Sequence, residues 1–193
     1  MRAPPHIPQT IALHKAPPKW KRWDFLAWLV TLNGWETGAE LGLWRGKTTA
    51  HLLSKCPTLR LVGVDLWAPL GDGGVYEDWD HVGHERGCRE ACAPFGDRLT
   101  IIKDWTAKAA DKVPDASLDF VFIDADHTEK GAREDIAAWL PKVKATGWIL
   151  GHDINWPGVR KAVDDLLPGY LIGPNVVWFR PVNPAKDWEA DWR

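Results

Sequence analysis

Apolar and polar positions follow two different periods along this chain. Short runs that are apolar on both sides, such as LVGV at 61–64, DFVFI at 119–123 and WILG at 148–151, recur between stretches with apolar residues three and four apart. A strand without a polar face is covered on both sides, which is the signature of a parallel sheet. The pattern predicts strands at Thr37–Leu41, Arg60–Val64, Leu99–Ile102, Leu118–Ile123 and Trp148–Gly151. Helices are predicted between them, near Lys47–Lys55, Asp78–Ala93, Thr106–Lys112 and Glu129–Leu140. Ahead of the first strand, Trp20, Trp23, Leu26, Ala27 and Val30 form a helical stripe over Trp20–Leu32, and Asn33-Gly34 ends it.

Strands alternating with helices imply an α/β fold, a doubly wound sheet with right-handed crossovers. The alternation breaks at the C-terminus. After a helix near Val159–Leu167, the runs Tyr170–Ile172 and Val176–Arg180 flank Gly173-Pro174-Asn175 and read as an antiparallel hairpin closing one sheet edge. One domain over residues 20–183 is expected. A proline-rich arm precedes it (1–19), and a tail follows (184–193) with Trp188 and Trp192 one helical turn apart.

Composition narrows the picture little. A chain of 193 residues buries a full core in one domain. The net charge of −2 gives no drive toward nucleic acid. Arg2, Lys15, Lys19, Lys21 and Arg22 sit in an opening stretch without acids, read as a solvated arm. No apolar run reaches the ~20 residues of a membrane span, and prolines interrupt MRAPPHIPQT where a signal peptide needs an apolar core. A cytoplasmic protein is expected, with Cys56, Cys88 and Cys92 as reduced thiols. The 14 tryptophans are read mainly as core, Trp28, Trp139 and Trp148 among them; Trp67 and Trp105, just past strand ends, could also stack on a purine.

The most informative segment is GAELGLWRGKTTAHLL at 38–53. It reads as a strand ending in a carboxylate, a glycine turn and a helix N-terminus, which presents bare N–H groups and a positive dipole end to a charged ligand. A phosphate loop needs G-x-x-x-x-G-K-[ST], but Leu41 stands five residues before Gly46. A dinucleotide turn needs a glycine where Trp44 stands.

The segment Glu40-Leu41-Gly42-Leu43-Trp44-Arg45-Gly46 resembles the first motif of the class I S-adenosylmethionine-dependent methyltransferases, with Trp44 in place of the usual middle glycine. Other strand ends extend the resemblance over about residues 36–180: Val64-Asp65-Leu66-Trp67, Ile102-Lys103-Asp104-Trp105, FIDADH at 122–127 and GHD at 151–153. The combination is similar to the small, single-domain branch of that superfamily (Methyltransf_24-like), whose members often use a divalent metal. The resemblance implies a Rossmann-like, seven-stranded, mostly parallel sheet with an antiparallel C-terminal hairpin strand. It also implies S-adenosyl-L-methionine held by Glu40, Gly42, Gly46, Thr48, Asp65, Leu66, Trp67, Asp104, Trp105 and Asp124. Glu40 would face the methionine ammonium. Asp65, 19 residues after Gly46, would take the ribose hydroxyls.

Methyl transfer to a hydroxyl needs an aligned, water-free site and an electron-rich acceptor oxygen. Asp124 and Asp153 follow adjacent strands and are expected to converge as ligands of Mg²⁺ or another divalent cation, with Asp126 and Asn155 as lesser oxygen donors. His127, on the loop over the methyl group, is the first candidate base, ahead of His152; Asp124 shares the reaction centre. His81, His84, Cys88 and Cys92 share one helix face and are read as packing, not as a zinc site. The insert Ala68–Trp79 reads as a flap carrying Tyr76 and Trp79 or as a plain loop, and the first helix as a substrate lid. The expectation is an O-methyltransferase of a small-molecule acceptor, without membrane or nucleic-acid partner, with homo-oligomerisation left open. The alternative is a catalytically silent binding module of the same fold.

Overall fold

The computed structural model describes residues 19–70, 77–185 and 188. Most of the basic arm, Tyr76 of the insert and Trp192 of the tail lie outside the described residues. Seven strands form one sheet: β1 (Thr37–Leu41), β2 (Arg60–Asp65), β3 (Leu99–Lys103), β4 (Leu118–Ile123), β5 (Val143–Gly151), β6 (Leu171–Ile172) and β7 (Trp178–Pro181). Their order is β3-β2-β1-β4-β5-β7-β6, with β7 antiparallel to both β5 and β6 and the rest parallel. The hairpin expected at the C-terminus therefore closes the sheet, its second strand lying inside its first.

Among the described residues, six α-helices accompany the sheet: α1 (Arg22–Asn33), α2 (Lys47–Lys55), α3 (His81–Cys92), α4 (Thr106–Ala109), α5 (Glu129–Trp139) and α6 (Pro157–Leu166). On one face, Ala109, Ile136, Trp139, Ala162 and Val163 of α4–α6 pack on Val121 and Ile149. On the other, Phe25 and Leu29 of α1 and Leu52 and Leu53 of α2 pack on Phe120, Phe122 and Leu150. Burying strands on both faces is what made their sequences apolar throughout. Gly34 ends α1 in the left-handed conformation (φ 62°).

Two elements differ from the periodicity. β5 begins at Val143, five residues before Trp148: Lys144 Nζ lies 2.7 Å from Asp119 Oδ1, which holds the polar KATG stretch against β4. Helix α3 starts at His81, because the Asp80 carboxylate accepts the Gly83 N–H and fixes the first turn there. Helix α1 docks in the core through Phe25, Leu26 and Leu29, all fully buried, while its Arg22 lines the cavity described below. Trp188, in the stretch expected as a tail, is buried edge-on against Trp148. Among the described residues no helix is long and apolar enough to cross a membrane.

Candidate active site

All five parallel strands present their C-terminal ends to one side, where a doubly wound sheet binds ligands. A cavity of about 460 Å³ lies there, and Glu40, Asp65 and Asp124, from β1, β2 and the end of β4, all line it. Its floor is the glycine turn between β1 and α2. Gly42 has φ 85°, and a Cβ there would stand 2.0 Å from the Asp124 carbonyl oxygen, so only glycine lets the turn pass the end of β4. Trp44 itself adopts φ 48°, a left-handed conformation unfavourable for a bulky residue.

Asp65 explains how that turn is held. Its Oδ2 accepts the Trp44 N–H and its Oδ1 the Trp67 N–H, both at 2.8 Å. The Trp67 indole then donates to the Trp44 carbonyl. Burial pushes the Asp65 carboxyl up, against the pull of these N–H groups. The carboxylate keeps lone-pair capacity for a further donor. Trp67 is buried by this arrangement, whereas Trp105 lines the cavity half-exposed. The Trp44 ring is fixed by His84, which also lines the cavity and whose Nδ1 accepts the indole N–H at 3.0 Å. His84, Cys88 and Cys92 are buried, and the cysteines are free thiols under Gly46.

At the other end of the cavity five side chains meet. Asp124 lies between Arg22, whose Nε is 3.2 Å from its Oδ2, and His152, whose Nδ1 is 3.5 Å from its Oδ1. Asp153 Oδ2 is 2.8 Å from His127 Nε2 and 3.0 Å from His152 Nδ1. Burial disfavours a charged His152 ring, but the two carboxylates outweigh it and raise the group to about 9. Burial also opposes the Asp153 charge, yet the histidines hold its carboxyl far below the usual range. Asp153 sits at φ 55° and leaves α6 without a side-chain cap, its carboxylate spent on the histidines instead. Glu40 is fully buried, which pushes it up to about 8 despite the Thr49 hydroxyl donating at 2.6 Å.

The structure does not bring every expected residue to this cavity. Asp104 turns outward to Lys112 (2.8 Å) and Lys108, and does not line it. Asn155 is exposed and away from it; Asp126 lines it, with its oxygens accepting the N–H and hydroxyl of Thr128. Glu40, Gly42, Thr48, Asp65, Leu66, Trp67, Trp105, Asp124, His127 and Asp153 do line it; Gly46 caps α2 just behind. Sequence reasoning missed Arg22, read as part of a solvated arm, which also reaches Thr48 Oγ1 at 3.3 Å. It missed Asp135 too, a buried carboxyl on α5 pushed up to about 7 by burial. An acid at a core-facing position of an amphipathic helix was the available signal.

Residues 39–154 match the family described as a methyltransferase domain. No curated protein matches the sequence. Among solved structures, a putative caffeoyl-CoA O-methyltransferase from Staphylococcus aureus superposes with a TM-score of 0.63 at 15% identity, over 86% of this chain and 85% of that one. An O-methyltransferase from Bacillus cereus in complex with SAH gives 0.58 at 17%, over 86% and 82%. An SAH-bound methyltransferase from Podospora anserina gives 0.62 at 15%, over 86% and 82%.

Proposed function

The chain belongs to the methyltransferase-domain family, and from that premise we propose that it transfers the methyl of S-adenosylmethionine to a hydroxyl of a small molecule. The observation that carries this is one cavity holding Glu40 and Asp65 at one end and the Asp124–His127–Asp153 group at the other. S-adenosylmethionine supplies a methyl on a positively charged sulfur. The acids fit that charge: Glu40 meets the ammonium, and Asp65 takes ribose hydroxyls with its remaining lone pairs. Leu66 and Trp105 flank the adenine. Thr48, at the uncapped start of α2, lies where the N-terminal dipole favours the carboxylate.

At the reaction centre His127 acts as base. With its Nε2–H given to Asp153, the neutral ring carries its lone pair on Nδ1, which takes the acceptor's proton as the oxygen attacks the methyl. Trp156, its ring centroid 4.9 Å from that of His127, shields this histidine from water on one side. Asp124 and Asp153 also fit a divalent cation: with His152 they offer ligand atoms within 4.8 Å of one another. Such an ion would supply Lewis-acid lowering of the acceptor hydroxyl's pKa.

The test is S-adenosylhomocysteine release from S-adenosylmethionine over a panel of phenolic, catecholic and sugar hydroxyl acceptors. Turnover with at least one acceptor, lost in His127→Ala, is expected. Cofactor binding without turnover on any acceptor favours the catalytically silent module.

A further inference from the structure

Asp135 on α5 has no part in the chemistry above, yet it lines the same cavity. It is 1% exposed, and its Oδ2 has no hydrogen-bond partner among the described residues. Burial disfavours its charge, the nearby acids Asp126 and Glu134 add to that, and the Thr106 hydroxyl pulls the other way. A buried acceptor left open on a cavity wall is costly unless a ligand donates to it.

Its neighbours say which part of a ligand arrives there. Trp139, one helical turn past Asp135, donates its indole N–H to the Thr106 carbonyl at 2.8 Å and so ties α5 to the start of α4. Thr106 directly follows Trp105, the half-exposed ring beside the adenine. Asp135 therefore stands past the rim of Trp105, where the edge of a base lying on that ring comes in, and the small residues Ala107 and Gly131 leave room for it. Acids crowd this edge: Asp126 and Glu134 line it with Asp135, while Lys108 turns to Asp104 at 3.7 Å. Such an edge attracts an amino group and repels a carbonyl oxygen. We propose that Asp135 reads the nucleobase: its Oδ2 accepts an N–H of the adenine 6-amino group, so that the site takes a 6-amino purine and rejects a 6-oxo purine. Asp104, which ends β3 and faces away to Lys112, leaves that edge to a carboxyl from the helix.

The inference rests on the proposed cofactor, and its test keeps the two claims apart. Calorimetry on the full chain compares S-adenosylhomocysteine with S-inosylhomocysteine, which carries an oxygen in place of the 6-amino group. The wild type is expected to bind the adenosyl ligand ~10–100-fold more tightly. In Asp135→Asn the side-chain amide turns to donate to that oxygen, and the preference should fall below ~3-fold. A purely structural role would weaken both ligands together and leave their ratio unchanged. Should Asp135→Asn not fold, Asp135→Ser is read in the same way, because its hydroxyl both donates and accepts. A wild-type ratio near one, or a ratio unchanged in the variant, overturns the inference while leaving cofactor binding intact. Uptake of neither ligand by the wild type sinks the proposed function along with it.

Discussion

The indole N–H of Trp44 donates to Nδ1 of His84, 40 residues further along the chain, at 3.0 Å. Trp44 occupies a left-handed position that glycine would fill without strain, and the His84 bond fixes its ring within the cavity lining. His84→Phe removes the acceptor and keeps the packing. The expected result is a ~5-fold weaker S-adenosylhomocysteine Kd, the size of one net hydrogen bond, read by calorimetry, with little change in thermal stability.

Gly42 is the tightest point of the floor, since an added Cβ would stand 2.0 Å from backbone oxygen of Asp124. Backbone cannot yield as a flexible side chain can. Gly42→Ala is expected to destabilise the fold by ~3 kcal/mol or more, checked by urea denaturation.

Glu40 gives cofactor binding a pH dependence. Burial pushes its carboxyl up to about 8, so at neutral pH it is largely protonated and must lose a proton to face an ammonium. Affinity should rise with pH toward 8, by up to ~10-fold per unit, and level off above. Glu40→Gln should bind more weakly with a flat profile over pH 6.5–8.5. Calorimetry in buffers of different ionisation enthalpy should show proton release in the wild type alone.

Acid stability depends on the opposite end of the sheet. Burial opposes the Asp119 charge, but Lys144 and the N–H groups of Glu36 and Thr37 outweigh it and hold the carboxyl below its ordinary value. A folded-state value below the unfolded one, ~3.9, adds stability that is fully present above that pH and lost as pH falls through the folded value. Asp119→Asn should cost ~1–2 kcal/mol at pH 7 and almost nothing near pH 2, by urea denaturation at both.

What could be read from sequence was local. The β1–turn–α2 unit lies within 38–53, and the predicted spans Thr37–Leu41 and Lys47–Lys55 coincide with the folded elements because alternation and glycine placement act over a few residues. The convergence of Asp124 and Asp153 needed only adjacency of β4 and β5. Asp104 was harder to read: it ends a strand as the other acids do, but Lys108 and Lys112 on the following turns draw it outward. Arg22 was illegible, because its meeting with Asp124, 102 residues away, depends on how α1 docks on α2. His152 drew notice as a base; its ion pairs with Asp124 and Asp153 are a property of packing.

Acids delivered by β1, β2 and β4 must embrace an adenosyl ligand for the proposed transfer to occur. The most direct measurement is calorimetric titration of S-adenosylhomocysteine into the wild type and Asp65→Asn. One site per chain in the wild type, weakened at least ~10-fold in the variant, is the predicted result. A wild type that takes up no ligand, or a variant that binds it equally well, would contradict the account.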